Sequence, residues 1–125
     1  MKIDRIDHLV LTVKDIDATC TFYTSILGME LETFGEGRKA LKFGNQKLNL
    51  HQKGKEFEPK AYTPTPGAID ICFITTDNIE QLKAELENKN IQTQGIFERT
   101  GATGKIRSIY FRDPDQNLIE VSNYL

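Results

Sequence analysis

Alternating apolar and polar positions open the chain and predict a first strand, followed by apolar residues at helical spacing. Asp15 suits the N-cap of that helix, and Gly28 suits the position just after its end. Gly44-Asn45 predicts a tight turn between the last two of three further strands. The strands of this half are predicted at residues 3–13, 29–34, 38–43 and 46–51. The order of elements is therefore β-α-β-β-β.

The same pattern starts again after residue 67. A capping-box-like start, Asp77-x-x-Glu80, predicts the second helix, and Asn90 can end it in the left-handed conformation. The strands of this half are predicted at residues 68–75, 91–97, 105–111 and 118–122. Such an internal repeat predicts an α+β fold of two βαβββ modules, about residues 1–51 and 67–125, within a single domain over 1–125.

Between the two halves, residues 52–66 hold three of the four prolines and many charges. This stretch is the one plausible linker, but it is too short and in places too apolar to be disordered, and its length and position make a lid over a site a fair hypothesis.

Each half carries one polar side chain with metal-binding chemistry on its first strand and one on its last. The strand that begins at His8 aligns with the strand that begins at Asp70, and residues 48–51 align with residues 117–120, which matches His51 with Glu120. Successive strand residues point to opposite faces of a sheet. The apolar neighbours of these four residues pack under the helices, so all four are expected on the faces away from the helices. If the two sheets curve toward each other, those faces form a shared concavity.

Two imidazoles and one carboxylate form a mixed nitrogen and oxygen ligand set that suits a divalent ion such as Fe, Mn, Ni, Co or Zn. A set of three leaves coordination positions open for water or substrate. A lone histidine on a strand is more often a hydrogen-bonded or exposed residue. Here, however, the chain has only two histidines and both fall in the four slots. The predicted metal ligands are His8, His51 and Glu120, and Asp70 is expected to reach the metal through water or to orient a ligand.

Three longer motifs resemble the vicinal-oxygen-chelate superfamily, which includes glyoxalases, bleomycin-binding proteins and extradiol dioxygenases. They are Asp7-His-Leu-Val-Leu-Thr-Val13, Phe22-Tyr-x-x-Ile-Leu-Gly-Met29 and Tyr110-Phe-Arg-Asp-Pro-Asp-Gln-Asn-Leu-Ile-Glu-Val121. Within that superfamily, the stretch from Arg38 to His51 looks like glyoxalase domain-containing protein five and its bacterial relatives. The resemblance departs at Asp70, where three-ligand members commonly have histidine, and at His51, where glyoxalase I carries glutamate.

The resemblance implies two modules that curve into an open barrel around a metal, and a homodimer. It also implies an enzyme of the lyase, isomerase or dioxygenase type that acts on a small oxygen-chelating substrate. Glu120 would then be a ligand first, and Asp70 or a metal-bound hydroxide would be the base. The residues expected to hold an anionic or carbonyl-bearing substrate are Lys47, Asn49, Arg99 and Tyr110.

Charge, cysteine content and the N-terminal sequence bear on the protein's partners and location. A net charge of −2 gives no reason to expect nucleic acid or a membrane as partner. The absence of a signal-peptide pattern favours a cytoplasmic protein, and Cys20 and Cys72 are expected to be buried, reduced thiols. The alternative function is a metal-free protein that binds a drug or another small molecule, like the bleomycin-resistance proteins; an interaction module with incidental histidines is less favoured.

Overall fold

The computed structural model describes all 125 residues, as two helices and eight strands. The chain divides into two compact units, Met1–Gly67 and Ala68–Leu125, and each contains one helix and one four-stranded sheet. The predicted α+β class and the repeated βαβββ order are confirmed. Neither helix is long and apolar enough to cross a membrane.

In the first unit the sheet has the strand order β1-β4-β3-β2, with β1 parallel to β4 and the other pairs antiparallel. Its elements are β1 (His8–Val13), α1 (Ile16–Ser25), β2 (Glu30–Phe34), β3 (Arg38–Phe43) and β4 (Gln46–Gln52). Helix α1 packs on the sheet over a core that includes Tyr23, Leu48 and Leu50, all almost fully buried. Asp15 is the N-cap as predicted, because its side chain accepts a hydrogen bond from the amide of Ala18.

In the second unit the sheet has the order β5-β8-β7-β6, and β5 is parallel to β8. Its elements are β5 (Asp70–Ile74), α2 (Ile79–Asn88), β6 (Gln94–Thr100), β7 (Lys105–Arg112) and β8 (Leu118–Tyr124). The N-cap of α2 is Asn78, whose side chain accepts from the amide of Gln81, so the predicted capping box that starts at Asp77 is wrong. Asn90 has a positive φ of 62°, as predicted for the residue that stops the helix.

Other differences concern strand ends and one cysteine. Strand β1 begins at His8 rather than at Ile3, and β6 begins at Gln94 rather than at Ile91. Both cysteines are free, but only Cys20 is buried, while Cys72 is exposed. The expectation for Cys72 was wrong because this residue lies on the sheet face opposite α2, two positions along β5 from the exposed Asp70.

We call the sheet face opposite the helix of the same unit the far face. Apolar residues such as Leu50 and Ile119 are buried on the helix side of their sheets. Strand alternation and register then put the four residues singled out from the sequence on the far faces of their own sheets. The sequence therefore predicted correctly which way these side chains point.

Candidate functional site

His8 lies at the start of β1 on the far face of the first unit. Its side chain is half exposed, and its Nδ1 lies 2.8 Å from Oδ2 of Asp7. The His8 contact also lowers the pKa of Asp7. A carboxylate on one ring nitrogen fixes the tautomer and orientation of an imidazole and leaves Nε2 to face outward, which is the usual arrangement of a metal-binding histidine.

His51, near the end of β4, has different surroundings. It is only 3% exposed, and its Nε2 lies 3.4 Å from Nη2 of Arg38. Since a guanidinium can only donate, the lone pair of Nε2 receives this hydrogen bond. Burial, together with the charge of Arg38, lowers the pKa of His51. The imidazole is therefore neutral at pH 7, and its Nε2 is already engaged.

The structure does not bring His8 and His51 together within the first unit. In the parallel pairing of β1 with β4, His8 stands beside Lys47, whereas His51 stands beside Thr12. The two histidines are thus four strand positions apart, or about 13 Å. Side chains that stand roughly perpendicular to a sheet do not converge over that separation.

The two expected substrate residues of the first unit lie between the histidines on β4. Lys47 is paired with Glu32 at 3.5 Å, and its ammonium lies 3.9 Å from the ring centroid of Phe34. Asn49 is 6% exposed, and its Oδ1 is buried without a hydrogen-bond partner. Lys47 thus shares the Glu32 carboxylate with Lys42, while Asn49 offers an unused acceptor.

In the second unit, Glu120, Tyr110 and Arg99 meet at a cleft of about 430 Å³ on the far face, which Cys72 and Tyr124 also line. Nε of Arg99 donates to the hydroxyl of Tyr110 at 3.1 Å. Burial raises the pKa of Tyr110, and the carboxylate of Glu120 adds to the effect. Three of the residues expected from the sequence therefore share this cleft. Asp70 pairs with Leu118, two residues before Glu120 on β8.

Two buried hydroxyls lie beside this cleft on the same face of the sheet. The Oγ atoms of Ser108 and Ser122 are 2.7 Å apart, and Ser122 also contacts Oε1 of Glu120 at 3.5 Å and Sγ of Cys72 at 3.4 Å. Burial raises the pKa of the Cys72 thiol, with a further contribution from Glu120. The sequence analysis missed this group, although strand alternation through Glu120 puts Ser122 on the same face.

The strand registers correct the alignment of the two halves. Two positions along from His8, Val10 pairs with Asn49; two positions along from Asp70, Cys72 pairs with Glu120. Asn49, and not His51, therefore occupies the slot that Glu120 fills in the second unit. His51 corresponds to Ser122, which lies two residues beyond Glu120 on β8.

Arg38 is a second residue that the sequence analysis missed. Ala40 pairs with Asn49 across the β3–β4 hairpin. Arg38 and His51 are each two residues further from the turn than this pair, and their side chains are in contact. The predicted Gly44-Asn45 turn could have indicated this contact, because Arg38 and His51 are the same number of residues from the turn. No group of three or more His, Cys, Asp or Glu side chains that could hold a metal ion occurs in the structure, so the metal ligand set stays a prediction.

Part of the motif that ends at Val121 has a structural role. The buried carboxylate of Asp113 accepts hydrogen bonds from the amides of Asp115 and Asn117 and from the side chain of Asn117, at 2.8–2.9 Å. Oδ1 of Asn117 in turn accepts from the amide of Ile69 at 2.9 Å. This turn fixes the junction of β7 with β8, the strands that carry Tyr110 and Glu120.

Comparison with known proteins gives matches over the whole chain. The virulence protein STM3117 of Salmonella typhimurium is 58% identical over 126 residues, covering 100% of this chain and 88% of that protein. Its crystal structure has a TM-score of 0.98 and covers 100% of both chains. The glyoxalase domain-containing protein RDO1 of Mycosarcoma maydis is 55% identical, covering 99% of this chain and 70% of that protein.

A more distant relative has an enzyme name. The lactoylglutathione lyase of Schizosaccharomyces pombe is 30% identical, over 94% of this chain and 46% of its own length. The family described as Glyoxalase/Bleomycin resistance protein/Dioxygenase superfamily matches residues 5–121. With its repeated βαβββ units and these matches, the chain belongs to the glyoxalase/bleomycin resistance protein/dioxygenase superfamily.

Proposed function

We propose that the protein is a divalent-metal-dependent enzyme that acts on a small oxygen-bearing substrate, with His8 and Glu120 as metal ligands. The observation that carries this proposal is the Asp7–His8 pair, in which a carboxylate holds one imidazole nitrogen and leaves the other available. Membership of a superfamily that contains a lyase supports an enzymatic activity.

The donor atoms present fit such an ion. An outward-facing imidazole and a carboxylate at a polar cleft are the nitrogen and oxygen ligands that Fe, Mn, Ni, Co and Zn accept. We do not propose His51 as a ligand, because it lies four strand positions from His8 and its Nε2 faces the guanidinium of Arg38. When bound, the metal would polarise substrate oxygens as a Lewis acid.

The chain's own residues have separate roles in this proposal. Arg99 and the Tyr110 hydroxyl, which are hydrogen-bonded to each other at the cleft, bind and orient a carbonyl or anionic oxygen of the substrate. The carboxylate of Asp70, exposed at the start of β5, is the base that accepts a proton. Lyase, isomerase and dioxygenase chemistry all remain compatible with these roles.

Elemental analysis of the untagged protein tests the proposal. Wild type, after incubation with Mn, Fe, Ni, Co and Zn in turn, is expected to retain near-stoichiometric amounts of one ion. His8→Ala and Glu120→Gln are expected to lose it, whereas Glu98→Gln, which removes one exposed carboxylate from the same unit, retains it. Wild-type protein that retains none of these ions contradicts the proposal and favours the metal-free binding protein instead.

Whether the protein is a homodimer, as the family resemblance implies, is a separate proposal. Sedimentation of the purified chain at micromolar concentration tests it directly; a single species with the mass of one 14.2 kDa chain would contradict it.

A further inference from the structure

Arg38 is held in a fixed place on the far face of the first unit. Its guanidinium carbon lies 5.0 Å from the ring centroid of Phe34 and 4.6 Å from that of Phe57. One of its nitrogens contacts Nε2 of His51 at 3.4 Å, and the His51 ring packs edge-on against Phe57. Two aromatic rings and an imidazole therefore orient the guanidinium without neutralising it.

No carboxylate of the chain is paired with this guanidinium. None of the ion pairs includes Arg38, and its Nε is buried with no hydrogen-bond partner. The two acidic residues of the adjoining loop have partners of their own, because Glu56 accepts from the amide of Gly54 and Glu58 pairs with Lys60. A partly buried cation without a counter-ion is unfavourable, and this favours the binding of an anion from outside the chain.

Lys47, the cation of this face that was expected to bind substrate, is a weaker candidate. Glu32 lies 3.5 Å from Lys47 and 3.3 Å from Lys42, so the two ammonium groups share one carboxylate. The Lys42 contact is the main cause of the lowered pKa of Glu32. Arg38, which has no carboxylate partner at all, is therefore the stronger candidate for binding an anion on this face.

The surroundings favour a carboxylate over a phosphate. A guanidinium presents a planar fork of donors that matches the two oxygens of a carboxylate. Arg38 supplies a single positive charge, and the neutral imidazole of His51 adds none. A carboxylate with one negative charge matches this single positive charge, whereas a phosphate group with nearly two negative charges would exceed it.

Asn49 adds a requirement for a hydrogen-bond donor on the same ligand. It lies on the same face of β4 as His51, two residues away, or about 6.5 Å along the strand. Its buried Oδ1 has no partner. Opposite it stands Ala40, the smallest side chain of this face. A buried acceptor left unpaired is costly, and a hydroxyl group of a ligand can satisfy it.

We propose that Arg38 and Asn49 form a binding site for a small hydroxycarboxylate, with the carboxylate on Arg38 and the hydroxyl on Asn49. The inference rests on the proposed function only in taking a small molecule as the ligand. It does not require the metal, so it is tested in the presence of a chelator, where failure of the metal proposal has no effect on the result.

The test uses the ¹⁵N-labelled full chain and a matched pair of probes, butyrate and 3-hydroxybutyrate, at constant ionic strength. Both are expected to shift the Arg38 Nε–Hε signal and the β4 amide signals saturably. 3-Hydroxybutyrate is expected to bind roughly two- to tenfold more tightly than butyrate, which is the value of one added hydrogen bond.

Variants assign the two contacts. Arg38→Gln is expected to abolish saturable shifts of the β4 amides, while Arg107→Gln, which removes the same charge from the second unit, leaves them unchanged. Asn49→Ala is expected to retain butyrate binding and to lose the preference for 3-hydroxybutyrate. Arg38→Lys serves as a second variant if Arg38→Gln does not fold, and it is expected to weaken binding at least tenfold because the planar fork is lost.

Three results would overturn the inference. The first is the absence of saturable shifts with either carboxylate in wild type. The second is unchanged binding in the Arg38 variants. The third is inorganic phosphate binding at the same nuclei more tightly than 3-hydroxybutyrate, which would assign the site to a different anion.

Discussion

Replacing Asp113 with alanine tests how the β7–β8 junction is held in place. The buried carboxylate accepts three hydrogen bonds, two from backbone amides and one from the side chain of Asn117. Hydrogen bonds to a charged group contribute about 1.5–3 kcal/mol each, but contributions within one network are not additive. We therefore expect Asp113→Ala to lower the free energy of unfolding by about 4 kcal/mol, within the range for a broken buried network.

Urea unfolding provides the measurement. Since the chain has no tryptophan, far-UV circular dichroism follows the transition, and amide signals of β7 and β8 report on the second unit itself. Asp113→Asn keeps one acceptor oxygen and is expected to cost about half as much. Asp4→Ala, which removes a highly exposed carboxylate, is expected to stay within about 0.5 kcal/mol of wild type.

A loss below about 1 kcal/mol in Asp113→Ala would refute this reasoning. It would mean that water replaces the carboxylate at little cost and that the turn is defined by its backbone alone. In that case the Asp-Pro-Asp-Gln-Asn segment would need another explanation, and a direct role in ligand binding would have to be considered.

Three further predictions concern smaller changes. Asp7→Asn removes the carboxylate that orients the imidazole of His8 and is expected to weaken metal binding about tenfold. Competition with a chelating dye measures the affinity. Equal affinity in Asp7→Asn and in the control Asp4→Asn would count against this role of Asp7. Asn78→Ala is expected to lower the free energy of unfolding by about 1 kcal/mol, and Asp77→Ala is expected to lower it by less. A larger loss in Asp77→Ala, measured by urea unfolding, would support Asp77 as the N-cap. Because burial lowers the pKa of His51 in the folded state, the unfolded chain takes up a proton first as the pH falls, so stability decreases below about pH 7. Urea midpoints of wild type and His51→Gln between about pH 7.5 and 5.5 check this, and equal slopes in the two proteins would contradict it.

Local sequence patterns were sufficient for most of the fold. Strand β3 has the predicted bounds, and the Gly44-Asn45 turn places β4 as its hairpin partner. Helix α1 begins after the predicted cap because Asp15 has a side-chain acceptor at the right spacing. The start of α2 was one residue off, because Asp77 and Asn78 are both good caps and the contacts of Asn123 with the backbone at Asp77 and Ile79 are long-range.

The candidate site was harder to predict than the fold. The direction of each side chain followed from the two-residue period of a strand, so the far-face assignments were correct. The distance between His8 and His51 depends on the register of the parallel pair β1–β4, whose strands are far apart in sequence and have no turn to set the pairing. The pairing of Arg38 with His51 was accessible, because a two-residue hairpin turn fixes the register of the strands on either side.

The proposed metal site requires that His8 binds a divalent metal and that His51 does not. Because the chain contains only these two histidines, long-range ¹H–¹⁵N NMR spectra of the untagged protein resolve both imidazoles during titration with Zn²⁺, a diamagnetic probe. We predict a stoichiometric shift of the Nε2 signal of His8, with both nitrogens of His51 unchanged. A shift of both rings would contradict the exclusion of His51 and support the ligand set predicted from the sequence alone. A shift of His51 alone, or of neither ring, would contradict the role of His8.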